Sequence, residues 1–227
     1  QIVSGRSFCP KCKKKINWYD NLPLISFFLL SGKCRNCNKV IPVRYLIVEL
    51  ITGISFLLIY LNFKNLNTII FLSILILILI IIFFIDLENF IIPDTLNFSI
   101  MGLALFKNFL PNFNTSLIHE INQSIIGGMV GYISIWLIIY LYKIFKKIDG
   151  MGLGDAKLMA GIGFLFGWQS IPFVLFVSSI LGLIFVVPSL IKKQKNMRTE
   201  IPFGPFIILA CLIYFAYGSL IYDLILV

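Results

Sequence analysis

The feature that most constrains this chain is a run of seventeen residues, 69–85, in which Ser73 is the only polar side chain. Crossing a hydrocarbon core of ~30 Å takes about 17 to 25 apolar residues of helix, so this run favours a membrane span. Across all 227 residues, 59% are hydrophobic and only 13% are charged, and the mean hydropathy is +0.97. A soluble fold of this size could not bury so much apolar surface. Soluble enzymes, secreted disulfide scaffolds and disordered chains are therefore excluded.

Further apolar stretches predict an all-α polytopic membrane protein with about seven transmembrane helices. The longest stretch, residues 158–191, has room for two crossings of about 17 residues each at 1.5 Å per residue. Trp168, Gln169 and Pro172 interrupt it, so one crossing is a candidate for a short, tilted or broken helix. The predicted spans are residues 45–63, 69–85, 96–110, 124–145, two within 158–191, and 203–221.

The basic residues gather in alternate segments between these spans. Nine of the nineteen lie in residues 6–44, and eight more lie in residues 143–157 and 192–198, which leaves only Lys64 and Lys107 elsewhere. Loops that stay in the cytoplasm carry such an excess of Lys and Arg. The net charge of +9 therefore indicates topology, with the N-terminal segment inside, rather than a nucleic-acid partner.

The composition changes abruptly after Arg44, which predicts two domains. Residues 1–44 are polar and basic and contain four of the five cysteines, whereas residues 45–227 contain all the predicted spans. We therefore expect a small cytoplasmic module at 1–44 and a membrane domain, embedded in lipid, at 45–227.

Two C-x-x-C motifs, separated by 21 residues, predict a zinc site in the N-terminal module. Each motif supplies two thiolates from one tight turn, and tetrahedral zinc needs four converging ligands. Two disulfides or a redox C-x-x-C are the alternatives, and a cytoplasmic module without a βαβ pattern disfavours both. Nucleic-acid binding is disfavoured because the module is small and membrane follows at once. The predicted ligands of a closed, structural site are Cys9, Cys12, Cys34 and Cys37.

Two carboxylates at the ends of predicted spans suggest a catalytic pair. Asp86 closes the most apolar span, and Asp155 opens another after the glycine-rich segment 150–154, on the same predicted side. Neighbouring carboxyls discourage joint ionisation, so that one holds a proton while the other acts as a base, as in aspartic proteases. The glycines would let the backbone approach a facing helix or a substrate closely. The residues alone leave open that Asp86 is an interfacial helix-end carboxylate and Asp155 an ordinary helix N-cap.

Two other carboxylates have less defined roles. Asp94 follows Pro93 and precedes a span, so we predict that it is an N-cap. Glu49 lies one turn into the first span, and its role stays open. His119, the only histidine, falls on the predicted outer side, away from both candidate carboxylates.

Taken in chain order, these motifs resemble the prepilin peptidases, also called type IV leader peptidases. Any single motif is weak, but the ordered set covers nearly the whole chain and is specific. The matching segments are Cys9-x-x-Cys12, Asp20-Asn21-Leu22-Pro23-Leu24-Ile25-Ser26, Cys34-x-x-Cys37, Arg44-Tyr45, Val48-Glu49-Leu50-Ile51-Thr52-Gly53, Ile85-Asp86, Pro93-Asp94, Gly152-Leu153-Gly154-Asp155-Ala156-Lys157 and Ile201-Pro202-Phe203-Gly204-Pro205.

The resemblance implies an intramembrane aspartic endopeptidase of the G-x-G-D class with Asp86 and Asp155 as its catalytic pair. Such enzymes cut the short basic leader from prepilins and pseudopilins on the cytoplasmic side of the bacterial inner membrane. Many then methylate the new N-terminus with S-adenosylmethionine, for which no residues are assigned here. The family normally has one more span before the cysteine module, so a start at Gln1 implies a trimmed chain.

A proton-coupled transporter is the rival interpretation. Paired intramembrane carboxylates also serve proton relays, and broken spans occur in transporters. A transporter should contain an internal repeat of broken spans, which this sequence does not display. A membrane anchor without catalytic activity would leave the paired carboxylates unexplained.

Overall fold

A computed structural model of the chain describes residues 7–110, 121–147, 151–191 and 201–226. These residues are mostly helical, and they contain only two isolated β-bridges and no strand. The predicted all-α fold is therefore confirmed. The chain forms two compact units, Gln1–Asn62 and Phe63–Val227, and the predicted domain boundary after Arg44 stays a prediction. His119 and the basic segment 192–198 lie outside the described residues.

The first unit contains the cysteine-bearing module and one long helix. A 3-10 helix at Trp18–Asn21 and a five-residue helix, α1 (Ile25–Leu29), lie between the two cysteine motifs. Helix α2 (Val43–Asn62) follows, and no residue in it is buried within the protein. An apolar helix of 20 residues with no buried residue suits a lipid-facing span.

Within its described residues, the second unit is built from a 3-10 helix (Lys107–Phe109) and six α-helices. Two are short: α4 has 13 residues and α6 has 14, or roughly 20 Å each at 1.5 Å per residue. Four helices of the described chain, namely α2, α3, α5 and α7, are long and apolar enough to cross a membrane. The count of seven spans stays a prediction. The six helices are α3 (Leu66–Asn89), α4 (Asp94–Phe106), α5 (Ile121–Lys146), α6 (Leu153–Phe166), α7 (Ser170–Ile191) and α8 (Gly204–Leu226).

The long apolar stretch 158–191 divides where its sequence predicts an interruption. Helix α6 ends at Gly167, whose φ of +76° continues neither helix nor strand, and α7 begins at Ser170. Pro172 lies in the first turn of α7, where the missing N–H would have had no intrahelical partner. The stretch therefore forms one short helix and one long helix.

Glycines bring α5 and α6 into close contact. A Cβ added to Gly127 would lie 2.7 Å from the Gly167 Cα, and one added to Gly131 would lie 2.5 Å from the Met159 carbonyl oxygen. Small residues permit such backbone approach between helices in a membrane. Gly131 follows Gly127 along α5, whereas its neighbour Met159 precedes Gly167 along the chain. The two helices are therefore antiparallel.

Helix α4 runs parallel to α6. The Asn97 side chain contacts Gly154, and further along both helices Ile100 packs against Gly161. The N-terminal ends of α4 and α6 therefore lie together at one end of the second unit.

Helix α8 runs antiparallel to α3. Asp86, in the last turn of α3, meets Gly204, the first residue of α8, and at the other end Phe63 stacks on Phe215 at 6.2 Å. The end of α3 and the beginning of α8 thus meet at one end of the unit. This geometry gathers both candidate catalytic carboxylates near helix termini.

Lys107 lies buried at the opposite end of α6. Its side chain is only 2% exposed, and its Nζ donates to the carbonyl oxygens of Phe164 (3.3 Å) and Leu165 (2.5 Å). The last carbonyls of a helix lack intrahelical donors, and a cation there also complements the helix dipole. Lys107 is therefore a C-terminal cap for α6.

Candidate active site and cysteine cluster

The four predicted zinc ligands come together in the first unit. The Sγ atoms of Cys9, Cys12, Cys34 and Cys37 lie within 4.8 Å of one another, and those of Cys9 and Cys37 are 3.9 Å apart. Tetrahedral zinc with Zn–S bonds of about 2.3 Å separates its sulfur ligands by about 3.8 Å. A disulfide needs about 2.05 Å. The four cysteines are free thiols in an arrangement that could hold a zinc ion.

Each C-x-x-C motif forms its own tight turn, or knuckle, and the two knuckles have the same geometry. The Cys9 N–H donates to the Lys14 carbonyl (3.0 Å), and the Lys13 N–H donates to the Cys9 carbonyl (2.8 Å). The second knuckle repeats this pattern, with bonds of 2.9 Å donated by Cys34 and Asn38. Lys13 and Asn38 also share a left-handed φ, +56° and +52°, so each motif folds locally into one turn with two converging thiols.

The backbone of the first knuckle favours the metal-binding form of its cysteine. The N–H groups of Cys12 and Lys11 donate to the Cys9 sulfur and lower the pKa of this thiol to about 6. Since the thiolate is the species that binds metal, the knuckle suits a cation such as zinc.

An ion pair connects the intervening loop to the second knuckle. The Arg35 guanidinium donates to both carboxylate oxygens of Asp20, with the shortest contact 2.6 Å from Nη2 to Oδ1. The Asp20 side chain is only 8% exposed, and Arg35 also lies over the Tyr19 ring at 5.5 Å. The loop is thus joined to the second knuckle next to Cys34.

Glu49, whose role the sequence left open, connects α2 to the same loop. Its Oε2 accepts a hydrogen bond of 2.8 Å from the Leu24 N–H. Leu24 has a φ of +60°, which is costly for a residue with a Cβ. The Glu49 carboxylate therefore holds a strained turn just before α1.

Asp86, the first candidate catalytic residue, lies in the last turn of α3 and is only 4% exposed. Its Oδ2 accepts a hydrogen bond of 3.0 Å from the backbone N–H of Gly204. Asp86 does lie at a helix end, as the alternative of an interfacial carboxylate predicts. Burial with a specific donor from another helix, however, distinguishes Asp86 from an ordinary interfacial residue.

Asp155, the second candidate, is the third residue of α6 and is 7% exposed. Gly152 occupies the N-cap, so the N-cap alternative for Asp155 is wrong. The predicted close approach of glycine backbone occurs at Gly154, where an added Cβ would lie 3.1 Å from the Ile92 Cβ. Asp155 therefore enters the protein interior on the first turn of a short helix.

Ile92, in the loop between α3 and α4, connects the surroundings of the two carboxylates. It packs against Gly154 on one side, and its Cδ1 lies 3.0 Å from the position of a Cβ on Gly204 on the other. Gly154 directly precedes Asp155. Gly204 donates its N–H to Asp86, so both carboxylates lie beside residues that contact Ile92. The structure thus brings both predicted catalytic residues into one buried region.

Asn97 fixes the backbone beside Asp155. Its amide Nδ2 donates to the Gly154 carbonyl oxygen at 3.2 Å, and the residue is fully buried. Within the described residues, its Oδ1 has no hydrogen-bond partner. Sequence reasoning missed Asn97, although a polar residue in a predicted apolar span is a signal that could have found it.

Asp94 does not cap α4 as predicted. Pro93 occupies the N-cap, and Asp94 is the first helical residue. Both of its carboxylate oxygens instead accept from the Lys157 Nζ at 2.7 Å. An ion pair between neighbouring helices competes successfully with local capping here, because Lys157 lies on the adjacent first turns of α6. This pair fastens α4 to α6 next to Asp155.

These contacts define what the region can do chemically. Two buried carboxyl groups can share one proton, so that one activates a water molecule and the other donates a proton. Gly204 also belongs to this region. Its motif is visible in the sequence, but no local pattern predicts its contact with Asp86.

Two family models match the chain. The bacterial peptidase A24 N-terminal domain matches residues 1–63, and the type IV leader peptidase family matches residues 73–187. The second match includes both candidate catalytic residues, and the first includes all four clustered cysteines.

Curated relatives are similar over nearly the whole chain. A prepilin leader peptidase/N-methyltransferase of Vibrio cholerae is 37% identical over 215 residues, which are 94% of this chain and 82% of the relative. Proteins of the same name from Aeromonas salmonicida and Pseudomonas aeruginosa are each 32% identical over 218 residues, 96% of this chain and 73% of the relative. A comparison with solved structures finds no significant match.

Proposed function

Because the chain belongs to the type IV leader peptidase family, we propose that it cleaves prepilin leaders with Asp86 and Asp155 as its catalytic pair. The observation that carries the assignment is the burial of both carboxyls beside residues that pack against the same side chain, that of Ile92. The transporter alternative has no support among the family matches or the relatives.

The cleavage proceeds by acid–base catalysis. One carboxylate takes a proton from water, and the water oxygen attacks the carbonyl carbon of the scissile peptide bond. The other carboxyl group protonates the carbonyl oxygen and so forms a tetrahedral diol. Return of a proton to the amide nitrogen breaks the C–N bond, which leaves a carboxyl end on the leader and a free amine on the pilin.

The proposed setting is the bacterial inner membrane, with several crossings and the catalytic pair on the cytoplasmic side. The excess of basic residues in the N-terminal module and in residues 143–157 supports this orientation. Four helices long and apolar enough to cross a bilayer support the membrane location. The prepilin or pseudopilin would present its leader at the cytoplasmic surface.

We propose that the cysteine cluster holds a structural zinc ion. Cys9, Cys12, Cys34 and Cys37 would be its four ligands, so that no coordination position is left for substrate. Zinc bound there would stabilise the small module, which has little hydrophobic core of its own.

A second activity, N-methylation, follows the name of the relatives. S-adenosylmethionine would supply a methyl group to the amine that cleavage exposes. No residue of this chain is assigned to this step.

The decisive experiment is a cleavage assay in detergent or lipid, read by mass spectrometry. Its substrate is a prepilin with a basic leader and a Gly–Phe junction. Asp86→Asn and Asp155→Asn should each lower kcat by at least about 100-fold, because each removes an acid–base group. Glu88→Gln is the matched control, since this carboxylate is exposed and lies two residues from Asp86 on the same helix, and it should retain most activity.

Substantial cleavage by either Asp86→Asn or Asp155→Asn would refute the catalytic pair. Addition of S-adenosylmethionine tests the second activity in the same spectra. A gain of one methyl mass on the mature pilin is the expected result, and its absence would count against methylation.

A further inference from the structure

We infer that Gly204 is a positioning residue whose backbone N–H holds Oδ2 of Asp86 and leaves Oδ1 to accept the proton of the attacking water. This inference rests on the proposed catalytic role of Asp86. It assigns a function to the Ile201-Pro202-Phe203-Gly204-Pro205 motif, which the cleavage chemistry alone leaves unexplained.

The first observation is the hydrogen bond itself. The Gly204 N–H lies 3.0 Å from Asp86 Oδ2, and the contact is buried. Gly204 is the first residue of α8, and the first N–H groups of a helix have no intrahelical acceptor. This N–H is therefore free to serve a group outside its own helix.

The second observation concerns the space around Gly204. An added Cβ would lie 2.6 Å from Asp86 Oδ2, 3.0 Å from the Ile92 Cδ1 and 3.3 Å from the Asp86 Cγ. Contacts below 3.0 Å do not occur between real Cβ atoms and their neighbours, so any side chain would displace the carboxyl group. Glycine at this position thus permits the close approach of its backbone to Asp86 without displacing the carboxyl group.

The hydrogen bond also distinguishes the two oxygens of Asp86. An amide N–H only donates, so Oδ2 must present a lone pair to it. A protonated carboxyl oxygen is the poorer acceptor, so a proton that Asp86 takes up belongs on Oδ1. In the proposed reaction Asp86 therefore takes the water proton on Oδ1, and Asp155 protonates the substrate carbonyl.

The test compares Gly204→Ala with Gly182→Ala in the cleavage assay. Gly182 is a matched control at the α7–α8 interface, because an added Cβ would meet only the Phe206 ring at an ordinary 3.6 Å. A misplacement of about 1 Å at a reacting group can lower a rate by about 100-fold. We expect a fall of this size in kcat for Gly204→Ala with KM within about twofold, and wild-type kinetics for Gly182→Ala.

A second variant distinguishes the effect of the new Cβ on Asp86 from its effect on Ile92. Gly204→Ala combined with Ile92→Val removes the Cδ1 atom that the new Cβ would meet, but not the contact with Asp86. We expect kcat to stay low in the double variant. Recovery of wild-type kcat would overturn the inference, because crowding of Ile92 would then explain the loss.

A backbone substitution tests the N–H without adding any atom to the site. Glycolic acid in place of Gly204 converts its amide to an ester and removes the donor. Hydrogen bonds to charged groups are worth enough for a fall of about 10- to 100-fold in kcat. The ester variant provides a test even if Gly204→Ala does not fold. An unchanged kcat in the ester variant would overturn the proposed role of the Gly204 N–H.

Asp86→Asn in the same series separates the two levels of the proposal. If Asp86→Asn retains cleavage, the proposed catalytic pair fails. If Asp86→Asn is inactive while Gly204→Ala or the ester has wild-type kcat, the catalytic pair stands and the role of Gly204 is refuted.

Discussion

Single side chains decide how the small N-terminal module is held together. Arg35 follows the first cysteine of the second knuckle, and Asp20 lies in the 3-10 helix of the loop between the knuckles. Hydrogen bonds from Arg35 hold the pKa of the Asp20 carboxyl below its usual range. The folded module therefore binds this proton less readily than the unfolded chain does.

The sign of the resulting pH dependence follows from linkage. A lowered carboxyl pKa stabilises the folded state fully above the unfolded value of about 3.9, and the contribution is lost as the pH falls through the folded pKa. Between pH 5 and pH 8 this contribution is therefore constant.

Asp20→Asn should destabilise the module only modestly, because Arg35 is half-exposed and solvent screens the pair. Stability is measured as the urea concentration at which the module unfolds and releases its zinc to a colorimetric chelator. The deficit should be equal at pH 5 and pH 8, and Arg35→Lys should show a smaller one. A deficit that disappears between these pH values would contradict the assigned pKa direction.

At the scale of helices, the α5–α6 contact depends on glycine. An added Cβ on Gly163 would lie 2.9 Å from the Gly128 nitrogen and closer still to the carbonyl group of Gly127. Both neighbours are backbone atoms, which cannot rotate away as a flexible side chain could. The two helices would have to separate along much of their shared face.

Gly163→Ala should lower the thermal stability of the solubilised protein, since overpacking costs about 1–3 kcal/mol or more. Gly102→Ala is the control, because a Cβ there meets nothing within 4 Å and alanine favours a helix over glycine. The melting temperature should fall clearly for Gly163→Ala and stay level or rise for Gly102→Ala. Equal melting temperatures for the two variants would refute the close contact.

The same element scale explains how Asp155 is oriented. Asn97 and Asp94 on α4 contact Gly154 and Lys157 on the first turns of α6. Because α6 has only 14 residues, contacts at its two ends add substantially to its packing against α5. Lys107 at the far end and Asn97 at the near end together fix the short helix that bears the candidate acid.

For the whole molecule, helix directions within the second unit bear on topology. Neighbouring helices α5 and α6 are antiparallel, and so are α3 and α8. Because Ile92 lies beside both Gly154 and Gly204, the end of α3 and the beginnings of α6 and α8 lie on the same side. The proposed setting places this side in the cytoplasm, in line with the excess of basic residues.

Alkaline phosphatase insertions test this orientation, since the enzyme is active only outside the cytoplasm. An insertion after Lys64, between α2 and α3, should be active. An insertion after Lys147, directly beyond α5 and its basic last turn, should be inactive. The reverse pattern of activities would place the catalytic pair on the outer side and refute the proposed setting.

Local chemistry accounts for the features that the sequence predicted correctly. Each C-x-x-C knuckle is formed by hydrogen bonds within six residues. The local sequence around Cys9 and Cys12 is therefore enough to predict the turn. Apolar runs such as residues 69–85 predict helices because a bilayer allows few alternatives. The break between α6 and α7 is likewise signalled by residues at the break itself. The prediction for Asp94 was wrong because a distant residue, Lys157, competes for its carboxylate.

The features that the sequence could not supply are contacts between distant segments. Gly204 lies 118 residues from Asp86, and Lys107 lies 58 residues from the carbonyl that it caps. No periodicity or motif encodes which helix end meets which, because the pairing is set by packing of whole helices. The ordered motifs thus identify the family of this chain, whereas the orientation of its carboxylates arises from the meeting of α3, α6 and α8.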